Sequence, residues 1–132
     1  MIIKKSRAEI DRMAKAGAVV ARAHEELMER LRPGMTTLDL DRIAEKVIVD
    51  AGAVPSFKGY RGFPATLCTS PNDQIVHGIP SADVVLEEGD VISIDCGAIV
   101  DGFHGDSATT LIVGGEEAAS PHVRELVRQT RN

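Results

Sequence analysis

Two aspartates, Asp95 and Asp106, lie in runs otherwise rich in β-branched and apolar residues, Val91–Val100 and Phe103–Val113, which flank the pair Asp101-Gly102. Asp-Gly between such runs is the strongest short-range hairpin signal, because a type I′ turn needs positive φ at both central residues. With Asp101-Gly102 as a two-residue loop, Val100 faces Phe103, Gly97 faces Asp106, and Asp95 faces Ala108. The two carboxylates then share one face as diagonal neighbours, roughly 7–8 Å apart at the backbone, and can converge on something between them. Aspartate is depleted in strands, and two on one face of a mostly apolar hairpin repel each other unless a cation sits between them. Oxygen ligands suit a hard or borderline divalent ion. The competing reading is two solvated strand aspartates. A bulge at Gly97 would shift the register and break this geometry.

A second group of chemistry-bearing residues precedes the hairpin. Aromatic content is only 3%, yet Phe57, Tyr60 and Phe63 fall close together in a segment jointed by Gly59 and Gly62 and bounded by Pro55 and Pro64. That composition makes a loop. Its rings either patch the core or wall a pocket for an apolar side chain. His77 stands before Gly78 and Pro80. Cys68 and Cys96 both fall in predicted strands, and in a leaderless chain they read as free thiols in a reducing compartment.

Several elements must position these groups. Ser6-Arg7-Ala8-Glu9 has the capping-box form and opens a long helical pattern. Ile10, Met13, Gly17, Val20, His24, Leu27 and Leu31 recur at steps of three and four, predicting one buried stripe with His24 as a core or boundary histidine. Arg32-Pro33-Gly34 ends that helix. A second begins near Thr36 or Thr37, with Leu40, Ile43, Ala44, Val47, Ile48 and Ala51 inward and Gly52 as its stop. Ala65–Ser70 reads as a strand, Pro71-Asn72-Asp73 as a turn, and Gln74–His77 as a short strand. After the hairpin, Gly114-Gly115 closes the sheet and Ser120-Pro121 opens a final helix. The order α-α-β-β-β-β-α predicts an α+β domain, an antiparallel sheet with helices packed on one face.

The 132 residues are enough for one domain with a core. Net charge is −5 with no basic cluster, which argues against phosphate-driven nucleic-acid binding. No run has the apolar length of a membrane span, and MIIKKSRAEID contains no signal-peptide core, so a cytoplasmic location is expected.

GYRGFPATLCTSPNDQIVHGIP followed by GDVISIDCGAIVDGFHGDSATT closely resembles type I methionine aminopeptidase. This family has the duplicated pita-bread fold and removes the initiator methionine from nascent chains. The resemblance runs along the whole chain, and the VHGIP form points to type I rather than type II. It implies that Asp95 and Asp106 are the aspartate ligands of a centre of two divalent metal ions, Co, Mn, Fe or Zn, with Asp106 bridging both. It implies that His77 contacts the scissile amide. It further implies that Tyr60, Phe63 and Cys68, with Phe57 nearby, line the pocket for the methionine side chain of a peptide's amino terminus. Phe63 stands where a tyrosine is frequent. His104, sharing face parity with Asp106, is a candidate supporting residue.

The resemblance covers only the N-terminal half of the family's catalytic domain. The second half supplies a histidine and two glutamates that have no match among His122, Glu116, Glu117 and Glu125. Three readings follow: a fragment of a methionine aminopeptidase that has the family function but is not active alone and needs a complementary C-terminal half, a homodimer that builds one site from two copies, or a non-catalytic peptide- or metal-binding module.

Overall fold

The structure, a computed structural model, describes residues 1–131. Helix α1 (Arg7–Arg30) and helix α2 (Thr37–Asp50) both start in complete capping boxes. The Ser6 hydroxyl accepts from the Glu9 N–H while the Glu9 carboxylate accepts from the Ser6 N–H. Thr36 and Asp39 repeat the exchange for α2. Each box satisfies two amide donors that a helix start otherwise leaves unpaired. Gly52, at φ 74°, takes the left-handed conformation that follows the end of α2.

The sheet has four antiparallel strands, β1 (Val54–Pro55), β2 (Leu67–Pro71), β3 (Val91–Val100) and β4 (Phe103–Ile112). β3 is its centre: β4 pairs along one edge, and β2 and the short β1 share the other. The hairpin has the expected register throughout, with Val100 opposite Phe103, Gly97 opposite Asp106 and Asp95 opposite Ala108. Asp101 and Gly102 both have positive φ, 49° and 80°, as a type I′ turn requires.

The pleat sorts the strands into two faces. Leu67, Ile92, Ile94, Cys96 and Ala98 point to one face and pack with Val20, Ala23 and Leu27 of α1 and Leu40, Ala44 and Ile48 of α2. Each leucine, isoleucine or valine among them contributes roughly 2 kcal/mol by leaving water. His24 is buried in this layer and donates from Nε2 to the Ser107 carbonyl at 3.0 Å. Gly105 lets α1 approach β4: a Cβ there would stand 2.6 Å from the backbone of Ala16 and Gly17. The opposite face carries Cys68, Asp95 and Asp106. Its far end, at Val91 and Ile112, is covered by Val123 and Val127 of helix α3 (Pro121–Arg131).

Three local expectations are corrected. Gln74–His77 is not a strand; its potential partner β2 instead engages Gly78, with the Thr69 N–H donating to the Gly78 carbonyl at 2.8 Å and the Gly78 N–H to Ser70 Oγ at 3.2 Å. The pairing strand on that edge is β1, which the proline-bounded sequence disguised. The buried stripe of α1 is shorter than its periodicity: Ile10, Met13 and Gly17 are exposed. Arg12 sits over the Phe103 ring at the hairpin tip, so the turn before it, which carries Ile10, runs past the sheet, and Gly17 meets β4 through its backbone, against Gly105. Ala51 is likewise exposed. Among the described residues no helix is long and apolar enough to cross a membrane.

Candidate active site

The bare face of the sheet is read in rows across the strands. Cys68 on β2, Asp95 on β3 and Ala108 on β4 form one row, and Gly97 with Asp106 forms part of the next. The carboxylates of Asp95 and Asp106 are thus fixed by three paired strands rather than by loops. Asp106 is exposed, while Asp95 Oδ1 is fully buried without a hydrogen-bond partner. A buried, unpaired carboxylate oxygen costs stability and marks a place built for a partner. Burial and the adjacent Asp106 carboxyl push Asp95 up to about 6, against the opposing pull of the His77 imidazole. Two hard oxygen donors aimed at one space fit a divalent cation. Among the described residues no group of three or more His, Cys, Asp or Glu is placed to hold a metal ion, so the pair is an incomplete ligand set.

His77 approaches Asp95 from the segment after β2. It takes a left-handed backbone conformation, φ 59°, unusual for a side chain with a Cβ. The cause lies in the next residue. A Cβ on Gly78 would stand 1.9 Å from the Thr69 carbonyl oxygen, so only glycine allows the chain to press onto β2 there. His77, Cys68 and Asp95 border a cavity of about 610 Å³ that extends toward Val91 and α3, with Ile75, Val76 and Leu126 also on its wall. Cys68 is mostly buried, and burial together with the Asp95 and Asp106 charges pushes its thiol up to about 11. At neutral pH it is a protonated, weakly polar wall and not a nucleophile. Cys96 points into the helix-covered core, its thiol pushed up to about 12 chiefly by burial.

The aromatic residues stand on the other side of Asp95. Phe57 and Phe63 pack edge to face, with ring centres 6.5 Å apart and planes at 88°. Phe57 rests on Gly97, where a Cβ would come within 3.0 Å of its ring. Tyr60 does not join them: it lies in a 3-10 turn at 63% exposure, with the Arg61 guanidinium 5.3 Å from its ring centre. His104 shares the face of Asp106, but its Nδ1 meets Ser56 Oγ at 3.1 Å.

Sequence reasoning passed over Asp41. This buried residue of α2 accepts from the Thr66 and Leu67 N–H groups at 2.9 and 2.7 Å and anchors the start of β2, and so of Cys68. An acidic residue on the apolar stripe of α2, between Leu40 and Ala44, was the available signal. His122, Glu116, Glu117 and Glu125 are all exposed at the edge formed by α3 and the turn before it.

Residues 11–132 match the metallopeptidase family M24. The chain is 49% identical over 130 residues to methionine aminopeptidase 1 of Mycobacterium tuberculosis, covering 98% of this chain and 49% of that protein. It is 53% identical over 121 residues to a methionine aminopeptidase of Clostridium acetobutylicum, covering 90% and 48%. In structure it superposes on methionine aminopeptidase from Thermotoga maritima with a TM-score of 0.94 and 40% identity, covering 99% of this chain and 51% of that one. The chain spans about half the length of the curated relatives it matches.

Proposed function

The chain belongs to metallopeptidase family M24, and from that membership we propose that it is a single domain, the N-terminal half of a catalytic domain that removes methionine from the amino terminus of nascent peptides in the cytoplasm. The observation that carries this reading is the pair Asp95–Asp106, two carboxylates on the bare face of a sheet with one buried oxygen left unpaired. Asp95 and Asp106 would hold two divalent ions, whose identity among Co, Mn, Fe and Zn depends on further ligands and on availability. When bound, such ions supply Lewis-acid polarisation of the scissile carbonyl and a nucleophile at neutral pH.

The chain's own residues take the other roles. His77, held over the cavity by its strained backbone, donates a hydrogen bond to the scissile amide region. Cys68, with a protonated thiol, and the Phe57–Phe63 pair offer a polarizable, apolar wall to an unbranched thioether. Tyr60 reaches that wall only by turning inward from its exposed position. Two carboxylates hold a metal weakly, so the remaining ligands are assigned to a second, complementary half.

Joining this chain to the second half of the Mycobacterium tuberculosis relative tests the proposal. The fusion is expected to release methionine from a Met-Ala-Ser peptide with Mn²⁺ or Co²⁺, and Asp106→Ala to abolish release. A folded fusion without turnover would overturn the reading.

A further inference from the structure

The loop that carries Phe57 is tied to the hairpin in an unusual way. Val54 pairs with Ile99 and Pro55 with Ala98, so the next residue, Ser56, arrives beside Gly97, and its N–H donates to the Gly97 carbonyl at 3.0 Å. Its hydroxyl then reaches past β3 to a different strand, meeting His104 Nδ1 on β4 at 3.1 Å. Gly97 makes that reach possible. A Cβ at Gly97 would stand 3.0 Å from Ser56 Cβ and 3.1 Å from Ser56 Oγ, and 3.0 Å from the Phe57 ring. One absent side chain therefore admits both the Ser56–His104 bond and the seat of Phe57. Beyond Phe57 the loop is held a second time, by the Lys58–Glu45 ion pair to α2, and folded on itself by the Gly59 N–H donating to the Phe63 carbonyl at 2.7 Å.

We infer that the Ser56–His104 hydrogen bond is a clasp that positions the Phe57–Phe63 wall beside Asp106 and Asp95, making Ser56 and His104 positioning residues for the apolar side chain of the substrate. The inference rests on the function proposed above for that wall, but the clasp itself is a property of this chain. Without it Ser56 keeps only its N–H bond to the Gly97 carbonyl, and between the β1 pairing on one side and the Lys58–Glu45 pair on the other Phe57 can lift from Gly97 while the hairpin and its carboxylates stay in place.

The first test is amide hydrogen exchange on the intact 132-residue chain. A modest hydrogen bond predicts that His104→Ala and Ser56→Ala each speed exchange at positions 56 and 59 by about three- to tenfold. Exchange along the β3–β4 ladder should not change. The double variant should match either single one, because both remove the same bond. His104→Asn, which keeps a donor and an acceptor near the Nδ1 position, should restore protection. Unchanged exchange at position 56, or strictly additive effects, would overturn the clasp. In the fusion with the relative's second half, the same variants should raise KM for Met-Ala-Ser by a similar factor with kcat nearly constant. Loss confined to kcat would contradict a positioning role. A wild-type fusion with no turnover would refute the proposed function instead, and the exchange result would still decide the clasp.

Discussion

Asp95 and Asp106 stand diagonally across β3 and β4, the first opposite Ala108 and the second opposite Gly97, on the face of the sheet that α1 and α2 leave bare. Strand pairing holds their separation, and neither depends on a loop for its position. The arrangement works against the metal-free chain, since Asp95 Oδ1 is buried with no partner. Asp95→Asn replaces one of two like charges with a group that can donate to Asp106. With a chelator present, urea unfolding is expected to show the variant more stable than the parent chain by about 1 kcal/mol. A variant less stable than the parent would mean the pair is not strained.

Two glycines in contact should respond to alanine with opposite signs. Gly105→Ala puts a Cβ 2.6 Å from the α1 backbone at Ala16 and Gly17, forcing helix and hairpin apart at a cost of about 2 kcal/mol. Gly17→Ala meets nothing within 4 Å and replaces a mid-helix glycine, so it should stabilise by roughly 0.5–1 kcal/mol. Thermal unfolding of the two variants beside the parent chain checks both signs.

Asp41 gives a pH prediction. Burial raises its pKa despite the Thr66 and Leu67 N–H donors, with Glu45 adding to the rise and Lys58 opposing it. A carboxyl raised in the folded state binds its proton more tightly there than when unfolded. Its contribution to stability is therefore fully present below the unfolded pKa and is lost as pH rises through the folded value. Asp41→Asn keeps an oxygen acceptor for both amides without the ionisation. The stability of the parent chain relative to this variant should fall as pH rises from the ordinary aspartate range, about 4, upward. Parallel unfolding curves across that range would contradict it.

The legibility of this fold follows the range of the forces involved. The hairpin was readable residue by residue, because Asp101-Gly102 fixes a two-residue turn and the turn fixes the register of Asp95 and Asp106. The start of α1 was readable from a four-residue pattern, and α2 from its apolar spacing and Gly52 stop. What escaped was non-local. β1 pairs only because β3 offers an edge to Val54 and Pro55. Gln74–His77 loses its strand because Gly78 is drawn against Thr69 and Ser70. Asp41 acts on amides 25 and 26 residues away, and nothing in its own neighbourhood names them. In the candidate site, Cys68, His77 and Asp95 border one cavity and Asp106 shares the sheet face of Asp95, whereas Tyr60 stays outside the edge-to-face pair of Phe57 and Phe63.

Gly78 links that non-local contact to the site. With the Thr69 carbonyl oxygen 1.9 Å from a Cβ at this position, Gly78→Ala must lift the segment off β2 and carry His77 away from Asp95. In the fusion enzyme, methionine release should fall at least as far as in His77→Ala, by about 10²-fold if His77 acts on the scissile amide. Retained activity in Gly78→Ala would show that the placement of His77 does not matter.

The most direct test of the account is titration calorimetry of the 132-residue chain with Mn²⁺. The parent chain should bind weakly, as two carboxylates without further ligands allow. Asp106→Ala should lose most of that binding while its circular dichroism stays unchanged. Equal binding by the parent and by Asp106→Ala would contradict the assignment of this face as half of a metal site.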